Sequence, residues 1–260
     1  MLVIANYPPC NIYNMDETGL YYRCLPNRSH IFTDETRNWV RGSKSMKDKN
    51  RLTVYFCTSA TRVKVRLSVI GTSQRLRCFR RNAVLSSATY FSQKNAWSDD
   101  VVCRLWFGTV FLEHVRAVTT SPVLLLMDNH SSHNRLIDPS GQVRVESLPP
   151  NVTARKQSMD AGVIKTFKTL YRSDLLSHTC SVAFGKPLPD DFPKGGLSAG
   201  RKADVGDALH LAVQAWDRVH TSTIVGCWMK TGLLPDSVEN TLTRAHGKTE
   251  VVSLLHRGTP

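Results

Sequence analysis

The stretch Pro122-Val123-Leu124-Leu125-Leu126-Met127-Asp128-Asn129-His130 decides the fold. Its uninterrupted apolar run suits a strand buried on both faces, as in the middle of an α/β sheet. In such sheets functional groups gather beyond the carboxyl ends of the strands, which makes Asp128 a candidate site residue. Working outward, residues 142–148 alternate apolar and polar and read as another strand, ended by Pro149-Pro150. Upstream, residues 99–116 read as a helix, with Val101, Val102, Leu105, Trp106, Val110 and Phe111 at helical spacing and Ser98 placed to cap its start. Downstream, residues 160–177 read as a helix with Val163, Ile164, Phe167, Leu170, Tyr171 and Leu175 on one stripe. Residues 204–219 form a strongly amphipathic helix, and a short helix follows from about Thr221 to Lys230, ended near Gly232 and Pro235.

The amino-terminal part reads as strands. Residues 10–22 make a short strand that stops at the acidic cluster Asp16-Glu17, and residues 52–58 are β-branched and aromatic enough for a second. In residues 63–72, Val63, Val65, Leu67 and Val69 alternate with Lys64, Arg66 and Ser68, so a hairpin with the second strand is expected. Its connection, Ala60-Thr61-Arg62, lacks the glycine that such turns favour. The order of elements predicts a mixed α/β domain over residues 1–184. A Gly- and Pro-rich linker or loop (185–203), a helical appendix (204–234) and a polar tail (235–260) complete the chain.

Composition bounds the function. The chain has 260 residues, 41% of them hydrophobic, which suits a sizeable core, and no apolar run reaches the length of a membrane span. The first seven residues do not read as a secretory signal, and the three Asn-x-Ser/Thr sequons at Asn27, Asn129 and Asn151 read as chance. Seven cysteines with no Cys-x-x-Cys pair point to reduced thiols in an intracellular protein. The net charge is +13, and residues 23–81 hold 15 Lys and Arg against three acids. The densest part, Arg37 to Arg51 with Lys44, Lys47 and Lys49, suits phosphate contacts and salt-dependent nucleic-acid binding.

Three aspartates stand out. Asp16 and Asp128 each follow a strand, and Asp160 sits where a loop becomes a helix. Converging carboxylates would hold two Mg²⁺ or Mn²⁺ ions, which take oxygen ligands and act on phosphodiesters. Each also has an ordinary reading: a turn residue before Gly19, an Asx-turn at Asp128-Asn129, and a first-turn helix carboxylate. Glu17, adjacent in a strand, is expected on the opposite face. His130 and His133 form a His-x-x-His with no Cys or Glu partner nearby in sequence, so zinc is not expected.

Four motifs carry a resemblance. Asn14-Met15-Asp16-Glu17-Thr18-Gly19-Leu20 resembles the first-aspartate motif of the DDE transposase superfamily. Arg41-Gly42-Ser43-Lys44 followed by Lys47 to Thr53 resembles the basic segment of its pogo group. Leu126 to His133 resembles the second-aspartate motif, and Pro149 to Thr153 with Gln157 to Ile164 the third. Asp128 and Asp160 have 31 residues between them, similar to pogo-like elements, and Ser222 to Trp228 resembles the helical tail shared with Tigger, jerky and centromere-protein-B relatives. The resemblance implies a ribonuclease H-like mixed sheet flanked by helices, with Asp16, Asp128 and Asp160 as catalytic metal ligands for DNA strand cleavage and joining. It implies DNA as partner, contacted by Lys44, Lys47, Lys49 and Arg51, and a nuclear location. A homo-oligomer or a separate DNA-recognition subunit is a further expected partner, and sequence-specific recognition would come from a missing domain or another subunit. With about 15 residues before Asp16, the family's usual amino-terminal helix-turn-helix region is expected to be missing from this sequence. Ser158 replaces a proline of the third motif, Arg62 a hairpin glycine and Arg66 a further proline, changes that resemble drift in a transposon remnant or a truncated gene model. The alternative reading is a catalytically inert nucleic-acid-binding or protein-interaction module. A metal-dependent phosphatase would need a strand-end Asp-x-Asp or a phosphate loop, and neither is found.

Overall fold

The structure, a computed structural model, describes residues 4–24, 50–76, 87–130, 133, 136–149, 156–184 and 203–234. Lys44, Lys47 and Lys49, most of the linker and the polar tail lie outside the described residues.

Six strands form one mixed sheet: β1 (Ile12–Tyr21), β2 (Arg51–Ser59), β3 (Leu67–Gly71), β4 (Ala88–Ser92), β5 (Val123–Met127) and β6 (Val143–Ser147), in the order β4-β3-β2-β1-β5-β6. β1, β2 and β3 form an antiparallel meander, and β5 and β6 return parallel to β1. This is the ribonuclease H-like arrangement that the motifs imply. β1 does not stop at the acidic cluster. It runs on to Tyr21 because β2 pairs with it as far as Arg51, so Asp16 lies in mid-strand opposite Phe56. β4 is an addition to the sequence reading. It pairs parallel with β3 from Leu67–Ala88 to Gly71–Ser92.

Two hydrophobic layers cover the sheet. Ile12, Val54, Phe56, Leu124 and Leu126 face α3 (Ile164–Phe184), α4 (Val205–Arg218) and α5 (Thr221–Thr231). Tyr13, Met15, Tyr55, Val123, Leu125 and Met127 face α1 (Asp100–Trp106) and α2 (Leu112–Val118). The two layers take alternate residues of β5, which explains why its apolar run is unbroken. A π-helical turn, Phe107–Phe111, joins α1 to α2. Val102, Cys103, Trp106 and Phe107 face inward, whereas Val101 and Leu105 are exposed, so the buried stripe lies one residue further on than the pattern indicates. The cap is Asp99, which accepts from the Val102 N–H at 2.9 Å; the Ser98 hydroxyl instead pairs with Tyr55 at 2.5 Å.

The carboxyl-terminal helices share the core of the sheet. Trp216 packs its ring 5.0 Å from Phe56, and the Trp228 indole N–H reaches the Thr58 hydroxyl at 3.4 Å. Lys64 Nζ donates to the last carbonyls of α4, Trp216 at 2.7 Å and Asp217 at 3.1 Å, a favourable place for a cation. In the β2–β3 connection Arg62 adopts φ +84, the left-handed conformation that glycine takes without cost. The described cysteines are free thiols, and no helix among the described residues is long and apolar enough to cross a membrane.

Candidate carboxylate site

Strand register builds the site. β1 and β5 run parallel and pair Ile12 with Leu124, Tyr13 with Leu125 and Asn14 with Leu126. Two residues beyond the last pair stand Asp16 on one strand and Asp128 on the other. The period of two puts both carboxylates on the same face, the one covered by α3. Asp160 arrives from the other direction, in the π-helical turn Met159–Val163 that leads into α3. Gly162 in that turn has φ +152, and a side chain there would meet the Cys227 sulfur at 3.1 Å, so the turn needs glycine.

One buried side chain ties the three segments together. Asn14 Nδ2 donates to the Leu126 carbonyl at 3.0 Å, two residues before Asp128. Asn14 Oδ1 accepts from the Ser158 hydroxyl at 2.9 Å and from the Met159 N–H at 3.2 Å, just before Asp160. Ser158 is therefore integrated into the site. Its φ of −64 also matches the fixed φ of the proline it replaces.

The electrostatics show crowded carboxylates. Asp16 is 8% exposed. Burial pushes its carboxyl well above the usual range, and the charges of Asp160, Glu17 and Asp128 push it further. Asp160 is raised by burial and by Asp128, partly offset by a hydrogen bond with Asp16 and by the Lys168 ammonium. Asp128 behaves differently. Burial would raise it, but a hydrogen bond from His133 Nδ1 at 2.6 Å and the charge of that ring pull it below its ordinary value. The His130 N–H adds a contact at 3.3 Å. Both contacts fall on Oδ1 of Asp128.

Five residues beyond the aspartates complete the site. Glu17 does face the opposite side of β1, but His133 bridges to it, Nε2 to Oε2 at 3.5 Å without forming a hydrogen bond. Burial would lower the His133 imidazole, yet Asp128 and Glu17 outweigh burial and lift it to about 10. His130 and His133 thus do have a glutamate partner, brought by the fold: ligand atoms of Glu17, His130 and His133 all lie within 4.8 Å of one another. Lys168 on α3 donates to the Thr18 hydroxyl at 2.7 Å, and its charge acts on Asp160. Arg51 lies across Gly19, where a Cβ would meet its Nε at 2.8 Å, and its guanidinium stacks over Trp97 at 5.0 Å. The oxygen-only donors of Asp16, Asp128 and Asp160, held against their own repulsion, fit Mg²⁺ or Mn²⁺ better than softer ions.

The fold and site define a ribonuclease H-like domain with a carboxylate cluster where β5 ends. The sequence matches the DDE superfamily endonuclease family over residues 49–228, a stretch that includes Asp128 and Asp160, and the chain belongs to that family. It is 31% identical to the mouse Jerky protein over 233 residues, covering 85% of this chain and 37% of that protein. It is 25% identical to the human Tigger transposable element-derived protein 7, covering 84% of this chain and 41% of that protein. The chain thus spans less than half the length of these curated relatives. Among solved structures, the Mos1 transposase paired-end complex with the left transposon end aligns with 89% of this chain and 60% of its own, at a TM-score of 0.43 and 8% identity.

Proposed function

We propose that this domain cleaves DNA phosphodiesters with divalent ions held by Asp16, Asp128 and Asp160. The observation that supports the reading is the β1–β5 register, with Asn14 opposite Leu126, because it directs Asp16 and Asp128 to the same face before any ligand is considered. The same three residues would be the catalytic set and the metal set. A bound Mg²⁺ or Mn²⁺ pair would supply a polarised water or 3′ hydroxyl and charge stabilisation at the phosphorus. The chain's own residues prepare that site. His133 fixes one oxygen of Asp128, Asn14 holds the three segments, and Lys168 and Arg51 supply positive charge beside the acids for the DNA backbone. Lys44, Lys47 and Lys49 belong to the proposed backbone contacts by their sequence position. Target selection would come from another region or subunit, and action on DNA implies a nuclear location.

The test is nicking of supercoiled plasmid by the purified chain with Mn²⁺ or Mg²⁺. Metal-dependent nicking that disappears in both Asp16→Asn and Asp160→Asn supports the reading. DNA binding with no nicking in either metal overturns it in favour of an inert nucleic-acid-binding module.

A further inference from the structure

We propose that Glu17, His130 and His133 form a second, chemically distinct site that binds one Zn²⁺-type transition-metal ion. The proposal stands on this cluster alone and does not require the aspartates to hold metal. Two imidazoles and one carboxylate are the nitrogen and oxygen donors such an ion prefers, and hard Mg²⁺ does not. Side chains of His133 and Glu17 are 1% and 19% exposed, and Nε2 and Oε2 are both buried without a hydrogen-bond partner although they face each other at 3.5 Å. Buried polar atoms are rarely left so. That spacing is long for a hydrogen bond but suits two ligands of one ion. Tetrahedral zinc with bonds of about 2.1 Å holds neighbouring donors roughly 3.4 Å apart. His130 contributes a third donor within 4.8 Å of both, so it needs to approach by at most about 1.4 Å.

The outer shell is already in place. A zinc-bound histidine nearly always gives its other ring N–H to a carboxylate, a backbone carbonyl or a water, which fixes tautomer and orientation. His133 does this through Nδ1 to Asp128 at 2.6 Å, which leaves Nε2 directed at Glu17. The ion would clamp β1 to the segment after β5. It would hold Asp128 by way of His133.

Competition of the purified chain against a chromophoric zinc chelator tests this, with Co²⁺ absorption as a second readout of imidazole coordination. The expected result is one Zn²⁺ per chain, lost in Glu17→Gln and in His130→Ala, retained in Asp160→Asn, and weakened about 10- to 100-fold in Asp128→Asn as for an outer-shell partner. His130 is exposed, so His130→Ala keeps the test valid even if Glu17→Gln folds poorly. Absence of stoichiometric Zn²⁺ binding overturns the proposal. So does binding that survives His130→Ala and Glu17→Gln but is lost in Asp160→Asn, which would locate the ion at the aspartates.

Discussion

Replacing Asn14 by alanine should loosen the whole carboxylate site, because Asn14 bonds to both of the other segments. It is 1% exposed, and three of its hydrogen bonds reach the other two segments, at the Leu126 carbonyl, the Ser158 hydroxyl and the Met159 N–H. Each contributes about 1 kcal/mol net, and truncation leaves buried partners unpaired, so Asn14→Ala should cost about 3–4 kcal/mol. That is a large part of the stability of an ordinary domain. In urea, at about 2 kcal/mol per M, the midpoint should fall by roughly 1.5–2 M with an unchanged slope. Ser158→Ala removes one of the three bonds and should cost about 1 kcal/mol in the parent, but far less in the Asn14→Ala background, because the two residues share that bond. A midpoint shift worth less than about 1 kcal/mol for Asn14→Ala, or strict additivity of the pair, would show that the hub reasoning is wrong.

Other substitutions test separate parts of the account. Gly162→Ala should destabilise by about 2 kcal/mol, from positive φ and the contact with Cys227, and adding Cys227→Ala should recover only the contact part; full recovery in calorimetry would contradict the backbone explanation. Arg62→Gly should stabilise by about 1 kcal/mol by relieving a left-handed residue, and an unchanged or lower melting temperature would count against it. Asp138 is buried, which alone would raise its carboxyl, but bonds from the Ser140 hydroxyl at 2.7 Å, the Val143 N–H at 2.9 Å and the Ser140 N–H at 3.1 Å, with the Arg116 charge, hold it below its ordinary value. Because the folded value is the lower one, this carboxylate stabilises the fold above its unfolded pKa of about 3.9 and the benefit is lost as pH falls through the folded value. Asp138→Asn should therefore be less stable than the parent at neutral pH by about 1–2 kcal/mol, with the gap closing in acid; a gap that persists unchanged at low pH would refute the assignment.

What was legible in the sequence follows from what each pattern depends on. The run Val123–Met127 needed no partner to be read, since only a strand covered on both faces stays apolar throughout. The amphipathic stripe of Val205–Arg218 was equally self-sufficient. On α1 the apolar residues Val101, Val102, Leu105 and Trp106 span a wider arc than the sheet covers, so the pattern could not say which edge meets water. β4 is five residues of mixed polarity, ATYFS, whose strand character comes from pairing with β3 rather than from its own composition. Asp16, Asp128 and Asp160 were readable as positions because each sits at an element boundary or in a motif. The tie through Asn14, the reach of Lys168 and the meeting of Glu17 with His133 depend on register and on where distant segments fold. No local pattern encodes those.

The central claim is that the aspartates form a divalent-metal site, and thermal unfolding of the parent and of Asp160→Asn, in EDTA and in millimolar Mg²⁺ or Mn²⁺, tests it most directly. Crowded like charges predict opposite signs in the two conditions. In EDTA, Asp160→Asn should unfold at a higher temperature than the parent, because a mutually repelling carboxylate is gone. With metal, the parent should rise and the variant should not, since an ion that binds only the folded state stabilises only a chain that can hold it. A parent indifferent to both metals, or a variant that rises as far as the parent, would contradict the account.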